Sequence, residues 1–297
     1  MSLYSGGFNV SCNGGLDGYI EVTAAGGTGD YTFTLGGAAT AVQTQPGAVY
    51  RFTGLGAGAY TIDVDDANGC SMVPTLNVTL TAPVAVTASA LVNSIHNGSD
   101  ISCTGASDGQ LTVTAGGGDG VYSYVLNEDL GNVSGNVSGV YTGLSAGSYT
   151  VTVTDGNGCS VVTTSVTVTD PPVLTASLVG TDISCNGAGD GTVTATAGGG
   201  TGAYTYDLED DLGTPIANTT GDATGAYTGL SAGSYQVVVT DVNLCTVTSN
   251  IIVIGEPAAV TAGTTVSLYS GGFNVSCIGG LDGYIEVTAA GGTGDYT

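Results

Sequence analysis

The sequence predicts an all-β chain made of tandem antiparallel β-sandwich repeats, and three observations carry that reading. The stretch Leu144-Ser-Ala-Gly-Ser-Tyr149-Thr-Val-Thr-Val-Thr-Asp155-Gly-Asn-Gly-Cys159 recurs in variant form from Leu55 to Cys70 and from Leu230 to Cys245. Cysteines return at a near-constant spacing, each first cysteine being followed by Gly-x-x-Asp-Gly. Short runs of alternating apolar and hydroxyl residues, separated by glycine-rich turns, fill the chain without any helical period.

The recurring stretch reads as one half-buried strand between two turns. Tyr149, Val151 and Val153 alternate with Thr150, Thr152 and Thr154, so a period of two places an aromatic and two β-branched residues on one face. Tyr60, Ile62 and Val64, and then Tyr235, Val237 and Val239, take the same places. Ala-Gly before the strand and Asp-Gly-Asn-Gly after it are turn sequences, since glycine accepts positive φ and Asx side chains bond their own backbone.

In the second repeat, the remaining elements follow in order. Val84 to Ala90 predicts a first strand, Gln110 to Ala115 a second and Val121 to Leu126 a third, with Gly116-Gly-Gly-Asp-Gly as a turn. Residues 127–140 read as a polar loop, and Val161 to Thr169 as a last strand before Pro171-Pro172. Six or seven short strands per repeat make an immunoglobulin-like sandwich. Leu-x-Ala-Gly-x-Tyr fits a tyrosine corner, with the hydroxyl bonding back to upstream backbone, and equally fits a merely packed core tyrosine. The repeats are expected at 1–82 (lacking its first strand), 83–171, 172–257 and 258–297, the last being half a repeat.

Cys12 and Cys70 lie 58 positions apart, Cys103 and Cys159 lie 56 apart, and Cys185 and Cys245 lie 60 apart. Constant spacing predicts a disulfide within each repeat, with Cys277 pairing beyond Thr297. Metal-binding cysteines would come in closer pairs, and disulfides fit an oxidising exterior. Ser2 to Thr32 and Ser267 to Thr297 are the same sequence except that Ile278 replaces Asn13, at an offset of 265. This predicts a fibre that repeats every three domains along one polypeptide; head-to-tail strand donation between separate chains is the alternative.

Charge narrows the function. Against 25 acidic residues stands one base, Arg51, giving a formal net charge of −24. Such a polyanion repels nucleic acid and anionic membrane, which are excluded as partners. Only 9% of residues are charged and the apolar residues are patterned, so the chain is expected to fold. No apolar run is long enough for a transmembrane helix.

No catalytic residue is expected. His96 is the only histidine, has no equivalent in the other repeats and reads as a solvated loop residue; a nucleophile or general base needs a partner held against it. Asp17, Asp108 and Asp190, and in the later turns Asp66, Asp155 and Asp241, offer hard oxygens suited to calcium, although Asp-Gly and Asp-x-Asn-Gly are also ordinary turn sequences. No other cofactor is expected. Asn132, Asn136 and Asn218 lie in Asn-x-Ser/Thr triplets of the most variable segment, where a glycan would fit.

The ordered set Cys-x-Gly-x-x-Asp-Gly, Gly-Gly-x-Gly-x-Tyr-x-Tyr (Gly199 to Tyr206), Leu-x-Ala-Gly-x-Tyr and Asp-x-Asn-Gly-Cys resembles the SprB repeat. Asp30 and Ala203 stand where the family often has Pro, and Leu244 replaces the Gly before Cys245. The resemblance covers the three complete repeats and the partial fourth. It implies a giant cell-surface adhesin of Bacteroidetes, exported by type IX secretion. The expected function is therefore a structural and adhesive segment of an extracellular filament. Its expected partners are neighbouring repeats and a surface polysaccharide. The rival reading is an array of calcium-assisted carbohydrate-binding modules.

Overall fold

The computed structural model describes residue 1 and residues 3–297. Among the described residues its regular secondary structure is antiparallel strand, apart from one short 3-10 turn at Ser5–Gly7. Among the described residues no helix is long and apolar enough to cross a membrane.

The first strand set comprises β1 (Gly18–Thr23), β2 (Tyr31–Gly37), β3 (Ala41–Gln45), β4 (Val49–Leu55), β5 (Gly58–Asp65) and β6 (Leu76–Leu80). The second comprises β7 (Thr87–Asn93), β8 (Gly109–Gly116), β9 (Tyr122–Leu126), β10 (Val140–Leu144), β11 (Gly147–Tyr149), β12 (Val151–Asp155), β13 (Ser160–Val162) and β14 (Val166–Val168). The third comprises β15 (Thr175–Thr181), β16 (Gly191–Gly198), β17 (Tyr204–Asp210), β18 (Ala226–Leu230), β19 (Gly233–Asp241), β20 (Thr246–Thr248) and β21 (Ile252–Ile254). The last two strands, β22 (Thr261–Val266) and β23 (Ile285–Ala290), pair with each other.

Each complete set folds into two facing sheets. In the second set, β10-β8-β7 opposes β9, β12 and β13, together with the β11–β14 pair; in the third, β15-β16-β18 opposes β17, β19, β20 and β21. In the first set, β3-β2-β5-β6 faces a sheet that among the described residues has two strands, β1 and β4. The inward residues of both layers merge into one core per set. In the second set, Leu111, Val113, Tyr141 and Leu144 from one layer meet Leu126, Tyr149, Val151 and Val153 from the other. The third set matches it with Val193, Tyr227 and Leu230 against Leu208, Tyr235, Val237 and Val239. Alternation thus places the apolar side chains between two sheets, the defining feature of a β-sandwich.

The compact bodies are larger than the expected repeats. Residues 1–101 and 105–169 form one unit, and residues 102–104 and 170–297 form the other.

Two strands depart from the sequence reading. The segment read as a loop up to residue 140 is followed by β10, which pairs with β8. Gly143, at φ 73°, breaks its alternation in a bulge where the register shifts between Thr142 and Leu144. The expected last strand is split into β13 and β14. Buried Thr163 lies at the break: its Oγ1 accepts from the Val151 N–H at 3.0 Å, and its own N–H bonds Val151 O at 2.9 Å.

The tyrosine-bearing strands resolve the choice between corner and packing. Tyr60, Tyr149 and Tyr235 are all buried. Each donates its hydroxyl to the backbone carbonyl four residues upstream: to Gly56 at 2.9 Å, Ser145 at 2.9 Å and Ser231 at 2.8 Å. Burial pushes the Tyr149 phenol above its ordinary range. Removing only the hydroxyl in Tyr149→Phe is expected to destabilise its sandwich by about 1 kcal/mol, the net worth of one hydrogen bond with its acceptor left behind. Urea unfolding followed by tyrosine fluorescence measures this, and an unchanged midpoint would assign Tyr149 to packing alone.

Candidate functional site

The most chemically specific positions in the chain are its cysteines, and their pairing departs from the expected one. Cys12 is bonded to Cys159, with Cα atoms 5.6 Å apart, and Cys103 to Cys245, with Cα atoms 5.7 Å apart. Cys70, Cys185 and Cys277 are free and exposed. The expected pairs Cys12–Cys70, Cys103–Cys159 and Cys185–Cys245 do not form.

Strand length explains why. The loop carrying Cys12 is tied to the end of the first sandwich, where Asn9 and Val10 donate to Thr81 O at 2.8 and 3.0 Å. Strand β5 starts at that end, Gly58 pairing with Leu80, and runs for eight residues to Asp65 before reaching Cys70. At about 3.3 Å per residue, the two cysteines are separated by roughly 25 Å along the strand, far beyond the roughly 4–7 Å between Cα atoms that a disulfide spans. The early cysteine of one repeat therefore meets the late cysteine of the next.

Two recurring devices present these cysteines. The late one follows an Asx turn: Asp66 Oδ1 accepts from the N–H groups of Asn68 and Cys70, both at 2.9 Å, while Oδ2 accepts from Thr28 at 3.1 Å. Asp155 does the same for Asn157, Cys159 and Asp119, and Asp241 for Asn243, Cys245 and Thr201. The early cysteine sits in a loop closed by the aspartate five residues on. Asp17, Asp190 and Asp282 accept from the N–H groups of Ser11, Ser184 and Ser276 at 3.0, 3.0 and 3.1 Å.

The residue after Cys12, Cys103 and Cys185 bonds the boundary proline in each case. Asn13, Thr104 and Asn186 donate to the carbonyls of Pro83, Pro171 and Pro257 at 3.3, 3.0 and 3.1 Å. The late loop docks on the preceding repeat as well. Asn157 exchanges two hydrogen bonds with the backbone of Ser5, and Asn243 Nδ2 donates to Ser102 O.

Five of the six carboxylates considered for calcium, Asp17, Asp66, Asp155, Asp190 and Asp241, are thus engaged by backbone N–H groups of these turns. Among the described residues, no three His, Cys, Asp or Glu side chains gather into a metal-holding group. His96, read as a solvated loop residue, is instead partly buried, with Nε2 at 3.6 Å from Asp108 Oδ2. Asn132 and Asn218 each donate Nδ2 to a strand carbonyl, Thr142 O and Thr228 O, and accept through Oδ1 from Ser134 and Thr220; Asn136 Oδ1 accepts from the Tyr141 hydroxyl. A glycine-like conformation is needed just before each late cysteine. Gly69 and Gly158 adopt φ 76° and 87° there, and Leu244 is forced to φ 69°.

The SprB repeat family model matches residues 9–40, 97–131, 178–213 and 274–297, each stretch containing one early cysteine. No curated protein matches the chain. Among solved structures, it is similar to the N-terminal eight Ig domains of the Down Syndrome Cell Adhesion Molecule isoform 1.30.30. That match has 13% identity over 88% of this chain and 37% of the other, with a TM-score of 0.30. The Clostridium thermocellum CbhA fibronectin(III)-like modules match at 18% identity over 54% of this chain and 88% of theirs, with a TM-score of 0.26. The C-terminal fragment of intimin in complex with the intimin-binding domain of its translocated receptor matches at 14% identity over 55% and 59%, with a TM-score of 0.27. The chain spans little more than a third of the first of these.

Two outcomes follow from the loop geometry. Leu244→Gly relieves a left-handed leucine while making the unfolded chain more flexible, for an expected net gain of about 0.5–1 kcal/mol; a lowered unfolding midpoint would contradict the strain. The second outcome concerns acid. The Cys70 N–H, above all, holds the Asp66 carboxyl below its ordinary range, and the Ser184 hydroxyl does the same for Asp190. Their contribution is present at neutral pH and is lost as pH falls below about 4, where the unfolded chain binds more protons. Hydrogen exchange should show the protection factors of the Cys70 and Ser184 amides falling between about pH 5 and pH 3. Constant protection across that window would refute the role of the carboxylates.

Proposed function

The chain carries SprB repeats in four stretches, and on that premise we propose that it is a tension-bearing segment of an extracellular adhesive filament at the cell surface. The observation that carries this reading is the overlap of the two disulfide loops. Cys103 lies inside the loop closed by Cys12–Cys159, and Cys159 lies inside the loop closed by Cys103–Cys245. A pull on the two ends enters at Cys12, crosses to Cys159, returns to Cys103, crosses to Cys245 and leaves toward Thr297. No repeat boundary between Cys12 and Cys245 opens without breaking a covalent bond. By loop entropy each bond, closing loops of 147 and 142 residues, is worth roughly 5 kcal/mol. A strand that tethers a cell to a surface meets this demand, and disulfides suit the oxidising exterior.

The acidic, hydroxyl-rich surface fits the same role. Net charge keeps long arrays apart from one another and resists edge-to-edge association of strands. Carriage to the cell surface by type IX secretion, and a role in attachment or gliding, belong to this proposal.

Single-molecule stretching tests it. Along the covalent path above only about 120 residues extend, so at roughly 3.5 Å per residue the oxidised chain should reach about 400 Å and the reduced chain about 1,000 Å. Equal contour lengths with and without reductant would remove the mechanical basis of the proposal. Antibody labelling of intact cells tests its location, and labelling confined to the cell interior would overturn it.

A further inference from the structure

The acidic charge that keeps arrays apart is missing along one strand edge. The strand that follows the Gly-Gly-x-Gly turn is β2 in the first sandwich, β9 in the second and β17 in the third. In the second and third, that strand ends its sheet and acidic residues guard it. Glu128 and Asp129 follow β9, while β17 itself carries Asp207, Glu209 and Asp210 and runs into Asp211. The first sandwich differs: β2 is covered by a further strand, β3, which ends the sheet in its place. The second sandwich has a repeat on either side of it in the chain, and among the described residues neither gives a strand to the edge of β9. What covers this edge is therefore decided within a single sandwich.

Strand β3 reads Ala41-Val-Gln-Thr-Gln45, with Ala41 to Thr44 exposed and Val42 at 68%. Its register on β2 is regular from end to end. It thus holds no charge, no proline and no bulge, the devices by which a sheet edge is kept from pairing. The neutral zone reaches well beyond the strand. No carboxylate stands between Asp30 and Asp63, and the only base of the chain, Arg51, lies in that interval. The hairpin is also held in place. The Thr32 and Thr44 hydroxyls bond each other at 2.9 Å, and Gln45 Nε2 donates to Val49 O at 2.6 Å. The free edge is fixed in strand geometry before a partner arrives, so little ordering remains to be done on binding.

We propose that β3 pairs antiparallel with β3 of a second copy of this chain, side by side, as a continuous sheet across the two. Charge selects this partner. Two chains of charge −24 repel wherever carboxylates meet, and an approach through β3 brings neutral surface against neutral surface. A two-fold axis through Gln43 sets Gln43 opposite its own copy, Val42 opposite Thr44 and Ala41 opposite Gln45, so that all five residues pair. Any other register shortens the ladder, and Pro46, which lacks an N–H, cannot extend it. The strand complements itself in this register. A glutamine amide both donates and accepts, so two copies of Gln43 bond each other, and Val42 against Thr44 is a favourable cross-strand pair. The pairing goes beyond the filament reading and needs only the first sandwich, whether or not the disulfides carry load.

The test uses the 297-residue chain with Cys70, Cys185 and Cys277 changed to Ser, so that no free thiol joins copies. A five-residue ladder is a small contact, and at about 0.5 mM chain sedimentation velocity should show a reversible dimer. Raising salt from about 0.05 M to about 0.5 M should increase the dimer, because screening weakens the repulsion of the remaining surface. Gln43→Glu and Gln43→Lys change an exposed side chain, and each sets like charges face to face across the axis. Either should weaken its own dimer about fivefold, and mixing the two should yield more heterodimer than either homodimer. A dimer unchanged by both substitutions lies elsewhere on the chain, and equal homodimers and heterodimers exclude the two-fold register; each result overturns the proposal. So does a chain that stays monomeric at about 0.5 M salt. Equal contour lengths with and without reductant would strike at the filament reading and leave this dimer standing.

Discussion

The covalent step from the early cysteine of one repeat to the late cysteine of the next is the constraint on which the rest of the chain depends. A sandwich of this size buries a modest core, and its stability against separation from its neighbour would otherwise rest on a few hydrogen bonds to a proline carbonyl and a docked turn. Disulfide bonding requires that both cysteines be held at fixed positions, and two aspartate turns do this at opposite ends of each sandwich. The tyrosine corner serves the same geometry: it fixes the start of the strand whose far end delivers the late cysteine.

The same turns explain how so acidic a chain folds with almost no base. The single ion pair to arginine joins Arg51 to Glu21 at 2.7 Å on the surface, where it is worth little. The carboxylates that matter are instead stabilised by backbone N–H groups, as Asp66, Asp155 and Asp241 are before the late cysteines, and as Asp100 is by Thr169 and Asp210 by Thr214. Each such contact satisfies a turn amide that would otherwise need water, and hydrogen bonds to a charged acceptor are the stronger kind. Negative charge is therefore part of the fold and not only a property of the surface.

The sandwich was legible in the sequence because its strands are half buried and alternate, as Tyr149 to Val153 do. β10 was not, because Gly143 introduces a bulge that breaks the period of two, and the split at Thr163 was hidden because a side-chain oxygen replaces a backbone partner there. The cysteine pairing was illegible for a different reason. In a tandem array, a constant spacing within repeats implies an equally constant spacing across them, so periodicity cannot choose between the two. What chooses is the length of the strand between Gly58 and Asp65, a three-dimensional fact that places Cys12 and Cys70 at opposite ends of one sandwich. Leu244 shows the converse: a departure visible in the sequence turns out to mark a backbone position under strain.

One substitution shows how the junctions divide their work. Across the near-identical segments the only change falls on the residue after the early cysteine, where Asn13 is matched by Ile278. Asn13 donates to the boundary carbonyl of Pro83, and Thr104 and Asn186 do the same at their own prolines. The isoleucine side chain has no donor. A neutral hydrogen bond at such a partly exposed position contributes about 1 kcal/mol, whereas a disulfide closing a loop of this length contributes roughly 5 kcal/mol. The polar contact can thus be lost in a duplicated unit at small cost, while each cysteine cannot. This difference in magnitude accounts for a sequence that varies at the hydrogen-bonding position and retains every early cysteine.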